Sequence, residues 1–211
     1  MIGNKLIKVC GMRQAENIRE VEALGIDLMG FIFVPRSPRF VAQRPDYLPT
    51  HAQRIGVFVN ETPEVIERQI EAFQLQGIQL HGDESPEICQ VFHSRPITVI
   101  KAFSAACADD LARTSAYEGT CDYFLFDTPC DQRGGSGHSF NWDLLQAYQG
   151  KTPFFLSGGL HPESARDLQQ FDHPRLAGYD LNSRFESAPG EKEVPALEHF
   201  LTQLSQQASL L

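Results

Sequence analysis

Eight short runs rich in Val, Ile and Phe recur along the chain, each followed by a stretch of different periodicity, and this alternation restricts the fold more than any other feature. The runs cover residues 5–10, 28–33, 54–59, 77–81, 97–102, 122–127, 153–157 and 176–181. Between them, apolar residues return at helical spacing: Ala15, Ile18, Val21 and Leu24, then Val65, Ile66, Ile70 and Phe73, and near the end Val194, Leu197, Leu201 and Leu204. Each run is answered by a helical stretch, residues 41–50 being the weak one. Strands alternating with helices predict an α/β fold with a parallel sheet. Three helix starts are marked alike, by Thr62-Pro63-Glu64, Ser85-Pro86-Glu87 and His161-Pro162-Glu163. Proline fits the first helical position and glutamate favours the positive end of the helix dipole. Thr62 and Ser85 are good caps; His161 is not.

Eight units in 211 residues leave about 26 residues for each, short but workable for a closed (β/α)8 barrel. The rival is an open, doubly wound sheet, which usually carries a GxGxxG turn after its first strand. The first run here ends in Cys10-Gly11-Met12-Arg13, without that turn. No repeat, low-complexity segment or composition shift marks a linker, so residues 1–211 are expected to form one (β/α)8 TIM-barrel catalytic domain.

Charge and cysteine usage narrow the partners. A formal net charge of -9 argues against nucleic acid, which requires a basic stripe. A mean hydropathy of -0.27 and no run of about 18 apolar residues argue against a membrane span. No export signal is visible at the start. Cys10, Cys89, Cys107, Cys121 and Cys130 are odd in number and lack CxxC spacing, which suits reduced thiols in a cytoplasm and speaks against zinc. A small anionic ligand stays open, provided cations and backbone amides gather locally.

In a barrel, chemistry sits where the strands end. Lys8 and Cys10 share parity on the first run, so both face one side, and a thiol beside a cation has its thiolate favoured. Cys10 is then a base or a nucleophile, although a single cysteine on an apolar strand is more often packing material. Asp127 ends the sixth run, at the edge of the core, where desolvation favours the protonated acid; alone, it reads equally as a turn cap with Thr128. Glycines gather after the sixth and seventh runs, at Gly134-Gly135-Ser136-Gly137 and Ser157-Gly158-Gly159. The second group lies between a strand and a helix start, the setting in which barrels hold phosphate. Val34-Pro35-Arg36-Ser37-Pro38-Arg39 presents Arg36 from a proline-stiffened loop suited to a carboxylate. His81 and Lys101 are wall residues or satisfied groups at the core edge, and the structural role is favoured for His81.

These segments, in order, resemble the phosphoribosylanthranilate isomerase family: residues 8–11, 30–41, 54–60, 78–84, 99–103, 124–128, 134–142, 156–163 and 182–190. The resemblance implies an Amadori rearrangement of N-phosphoribosyl-anthranilate without cofactor or metal, in tryptophan biosynthesis. It makes Cys10 the general base and Asp127 the general acid. Arg36 is expected on the anthranilate side, and the phosphate near Gly135, Gly159 and the loop after the eighth run. Lys8, Arg36, His81, Gly135, Ser136, Gly158, Gly159, Asn182 and Ser183 are the expected substrate-binding residues. A monomer or homodimer with a small anionic substrate is the expected state.

One departure concerns Asn182-Ser183-Arg184, where the family commonly has Ser-Ser-Gly. The glycine that enters positive φ freely is lost, and arginine enters it less readily. Val34 and Met12-Arg13 also differ from the common pattern. Two alternatives stay open. One is another sugar-phosphate barrel enzyme, an epimerase or an indole-glycerol-phosphate synthase-like chain, marked by metal dependence or a catalytic Lys8. The other is a non-catalytic barrel that binds sugar phosphates.

Overall fold

In the computed structural model, which describes residues 2–127, 142–168 and 170–208, eight parallel strands close into a barrel in chain order. They are β1 (Leu6–Cys10), β2 (Leu28–Ile32), β3 (Gln53–Phe58), β4 (Gly77–Leu80), β5 (Thr98–Ser104), β6 (Tyr123–Asp127), β7 (Phe154–Ser157) and β8 (Leu176–Leu181). All eight expected runs form strands, and the expected TIM barrel is the fold. β8 pairs back onto β1 with Lys8 opposite Asp180, and closure removes the open edges of the sheet.

Side chains alternate across each strand, so every run feeds two cores. Leu28, Ile55, Ile100, Ala102, Leu125 and Phe155 point inward and fill the barrel. Their neighbours of opposite parity, among them Val9, Met29, Phe31, Ile78, Val99, Phe124, Phe126 and Leu156, pack in the larger core outside the ring. The helices over that core are α1 (Ala15–Ala23), α2 (Pro63–Phe73), α3 (Pro86–His93), α4 (Ala108–Ala112), α5 (Ala165–Leu168) and α6 (Val194–Ala208).

The helical layer is less regular than the sequence pattern suggests. Residues 33–52 cross from β2 to β3 without a helix. Pro35, Pro38, Pro45 and Pro49 explain it, because each removes a backbone donor and disfavours helix before it. After β6 the described residues hold a 3-10 turn, Trp142–Ala147. After β7 stand a three-residue turn and the four-residue α5. After β8 comes the turn Ser183–Phe185, then a hairpin of β9 (Glu186–Ala188) and β10 (Glu191–Lys192), and then α6.

The helix starts are split. Thr62 caps α2, its hydroxyl accepting the N–H of Val65 at 3.4 Å. Ser85 heads α3 without a capping bond to the backbone; its hydroxyl bonds to the Glu87 side chain instead. At His161 the backbone N–H donates to Ser164 Oγ at 3.0 Å. Among the described residues no helix is long and apolar enough to cross a membrane.

Candidate active site

Cys10 ends β1 opposite Gly30 of β2. A Cβ on Gly30 would stand 2.6 Å from Cys10 Sγ, so the missing side chain is what admits the sulfur to the barrel interior. The thiol is 3% exposed and still lines the mouth cavity. Lys8, one inward position deeper, is fully buried and does not reach that cavity. Its ammonium donates to Asp180 Oδ1 at 2.7 Å, and Ser157 donates to Asp180 Oδ2 at 3.0 Å. Lys8, expected among the substrate-binding residues, is placed in the interior as the partner of Asp180.

Lys8 does favour the thiolate as expected, but it does not prevail. Burial is the largest influence on Cys10 and pushes its thiol up, while Asp180 offsets much of what Lys8 contributes. Burial also opposes the charge of Lys8, but the Asp180 carboxylate and the neighbouring thiol outweigh it and hold the ammonium above the ordinary lysine value.

The cavity has a volume of about 1050 Å³ and opens at the C-terminal ends of the strands. Cys10, Arg36, His81, Asp127, Gly158, Gly159, Asn182 and Ser183 all lie on its wall. Gly135, Ser136 and the rest of the first glycine group lie outside the described residues. Asp127, at the end of β6, has a side chain that is 45% exposed, so it stands in a half-open rim and not in the desolvated edge expected for it. Its Oδ2 lies 3.6 Å from His81 Nε2. The His81 ring is fixed from behind, with Gln79 Nε2 at 2.7 Å from its Nδ1. His81, favoured as structural from its own position and expected to bind substrate from the resemblance, thus faces the carboxyl at the mouth. Lys101 is the satisfied core-edge group: it is 2% exposed, donates to the carbonyls of Leu80, Gly82 and Ala102, and faces Glu84 at 3.3 Å.

Loop geometry follows from local chemistry. The Ser37 N–H donates to the Val34 carbonyl at 2.9 Å and the Arg39 N–H to Ser37 Oγ at 3.1 Å, a folded loop that leaves Arg36 exposed on the cavity wall. Gly158 and Gly159 turn at φ 84 and 61, where a side chain would strain the backbone. The positive φ that the lost glycine raised as a concern for Arg184 does not arise. Asn182 has a negative φ of -145, residues 183–185 form a turn, and the described non-glycine residues at positive φ are Asn60 and Gln74. Arg184 is exposed and off the cavity wall.

Sequence reasoning missed Asp180, Gln79 and a buried charge cluster beside the mouth. In that cluster Arg39 grips Glu186 with Nε at 3.0 Å from both carboxylate oxygens and Nη2 at 2.6 Å from Oε2. Lys192 also bonds Glu186, and donates to Asn182 Oδ1 at 2.9 Å. Asn17 fixes the Lys192 backbone, accepting its N–H at 2.8 Å and donating to its carbonyl at 2.9 Å. Asp180 had a readable signal, since closing an eight-strand ring sets it beside Lys8 with the same inward parity. The hairpin charges had none, because nothing in the sequence pattern sets Glu186 or Lys192 beside Arg39.

Thiol, carboxyl, guanidinium and glycine turn converge from four strand ends on one mouth, the arrangement of a (β/α)8-barrel enzyme. The model of the family described as N-(5'phosphoribosyl)anthranilate (PRA) isomerase matches residues 7–203. An N-(5'-phosphoribosyl)anthranilate isomerase of Phocaeicola vulgatus is 55% identical over 202 residues, covering 96% of this chain and 98% of that one. One of Parabacteroides distasonis is 48% identical over 205 residues, covering 94% and 93%. The crystal structure of phosphoribosyl anthranilate isomerase from Thermotoga maritima superposes with a TM-score of 0.82 at 32% identity, covering 96% of this chain and 99% of that one. The chain belongs to the N-(5'-phosphoribosyl)anthranilate isomerase family.

Proposed function

We propose that this chain converts N-(5'-phosphoribosyl)anthranilate into 1-(2-carboxyphenylamino)-1-deoxyribulose 5-phosphate, with Asp127 as acid and Cys10 as base. It is an isomerase of tryptophan biosynthesis by family. Asp127 protonates the ring oxygen of the ribose, the furanose C–O bond breaks, and the anilino nitrogen supplies the electrons of a C=N iminium. Cys10 as thiolate removes the proton from C2, giving an enolamine. Proton return to C1 then leaves the ketone at C2. Two positioned proton transfers of this kind are worth roughly two to four orders of magnitude each.

The observation that carries this reading is that Cys10 and Asp127, at the ends of β1 and β6, line one cavity. Arg36 on its wall suits the anthranilate carboxylate through a two-pronged hydrogen bond. The Gly158-Gly159 turn and the Asn182-Ser183 loop, also on the wall, suit the phosphate. A related structure is a complex of phosphoribosyl anthranilate isomerase with reduced 1-(o-carboxyphenylamino)-1-deoxyribulose 5-phosphate, at TM-score 0.80 and 30% identity, covering 96% of this chain and 99% of that one. The same reading takes residues 1–211 as one catalytic domain in the cytoplasm, in keeping with the free thiols of Cys10, Cys89, Cys107 and Cys121.

The test follows the loss of substrate fluorescence in the presence of a chelator. Turnover that survives chelation is expected, with kcat reduced about 10²- to 10⁴-fold in both Cys10→Ala and Asp127→Asn. Near-normal turnover by Cys10→Ala overturns the assignment of the base.

A further inference from the structure

Cys10 presents a problem for its own role. A base must shed its proton, yet burial favours the neutral thiol, and the cation on its own strand, Lys8, is paired with Asp180 at 2.7 Å, which opposes it. The charged groups that act on Cys10 come from four places: Lys8 on β1, Asp180 on β8, Arg39 in the loop after β2 and Lys192 on β10. The first two oppose each other, with Lys8 the stronger, and burial outweighs what is left. In the remaining cluster, Arg39 and Lys192 share the single carboxylate of Glu186, which leaves one net positive charge.

The backbone beside the thiol is built to let that cluster approach. Gly11 follows Cys10 at φ 83, and a Cβ there would meet Arg39 Cδ at 2.7 Å and Asn182 Oδ1 at 3.0 Å. Asn182 Oδ1 is the atom that receives the Lys192 ammonium at 2.9 Å. The Lys192 side chain is wholly buried and Glu186 is 3% exposed, so water screens this charge little. We propose that Lys192, held by Glu186 and Asn182, is a second positioned charge, beside Lys8, that favours the thiolate of Cys10. It is a positioning residue that acts through Cys10, and the proposal rests on reading Cys10 as the base. Burial pulls Lys192 below the ordinary lysine range, with Glu186 and Cys10 opposing it, the reciprocal side of the same coupling.

The experiment measures the pH dependence of Cys10 alkylation by iodoacetamide, quantified on its own peptide by mass spectrometry, beside kcat/KM. Lys192→Met is expected to move the Cys10 ionisation upward by about one pH unit, lowering the neutral-pH alkylation rate and kcat/KM about tenfold. Lys192→Arg restores the profile to near the parent's. Glu186→Gln, which adds net positive charge, moves the ionisation downward. A merely structural role would make Lys192→Met and Glu186→Gln fail alike. An unchanged alkylation profile in folded Lys192→Met overturns the inference and leaves the base intact. Normal turnover by Cys10→Ala removes the base while leaving any alkylation shift on record, so the two failures are told apart. If Glu186→Gln does not fold, the Met and Arg variants at position 192 decide alone.

Discussion

The two ends of this barrel use carboxylates in opposite ways. At the N-terminal ends of the strands, acids hold backbone. Glu22 accepts the N–H groups of Thr50, His51 and Ala52 at 2.7, 2.6 and 3.1 Å, Asp27 accepts that of Ile7 at 2.9 Å, Asp122 that of Val99 at 2.8 Å, and Glu118 that of Lys151 at 2.9 Å. Asp27 and Asp122 stand just before β2 and β6 and hold the neighbouring strand, while Glu22 and Glu118 hold the segments that lead into β3 and β7. At the C-terminal ends, Asp180 and Glu186 hold cations and Asp127 faces His81 over open cavity. Glu84 does both, accepting N–H groups of Asn60 and Gly82 at 2.8 and 2.9 Å while facing Lys101. Acids bound by neutral amides add stability and no chemistry, whereas acids set against cations and a thiol shape the field in which a proton can move.

The largest effect that sharpens this contrast is expected in the interior. Asp180→Asn leaves the fully buried Lys8 ammonium unpaired, and the fold should lose about 3–5 kcal/mol in urea denaturation, because one member of a buried pair has been removed. Replacing both, Lys8→Met with Asp180→Leu, should recover most of that loss while turnover stays low. If Asp180→Asn denatures at the parent's midpoint, the pair is not what stabilises this layer. At the other end, Glu22→Ala strands three backbone donors and the Tyr47 hydroxyl, for a loss of about 1–3 kcal/mol. Its turnover per folded molecule should equal the parent's. A drop in kcat with Glu22→Ala would erase the division between the two ends.

The barrel was legible in the sequence because a parallel sheet buried on both faces writes itself as continuous apolar runs, and all eight were visible. Cys10, Asp127, Arg36 and the Ser157-Gly158-Gly159 turn were legible because strand ends are where a barrel keeps its polar residues. What was not legible depends on contacts between distant segments. Gly30 reads as one more glycine until Cys10 Sγ is seen to occupy its missing side chain. That the thiol is nevertheless pushed up was not legible, because parity reveals that Lys8 and Cys10 share a face, but neither how deeply Cys10 is buried nor that Asp180, 172 residues away, pairs with the lysine. Glu186 and Arg39, 147 residues apart, meet only because β8 closes on β1 and carries the hairpin to the loop after β2.

The smallest effect separates the two ends by pH. The hydrogen bonds from Tyr47, His51, Ala52 and Thr50 outweigh burial and hold the Glu22 carboxyl below the ordinary glutamate value, and those from Thr152 and Lys151 do the same for Glu118. A carboxyl depressed in the folded state contributes stability that is complete above its unfolded value, about 4.3, and is lost as pH falls through the folded value. Lys8 is raised in the folded state, so its contribution is complete below the unfolded lysine value, about 10.4, and is lost as pH rises through the folded one. The N-terminal end should therefore weaken in acid and the interior pair in alkali. Stability measured by urea denaturation across pH should show Glu22→Ala converging on the parent below about pH 4.5. The Lys8→Met, Asp180→Leu double variant should keep the acid decline and lack the alkaline one. If the double variant also lost stability in alkali as the parent does, that decline would belong to other groups, and the interior pair would lose its place in the contrast.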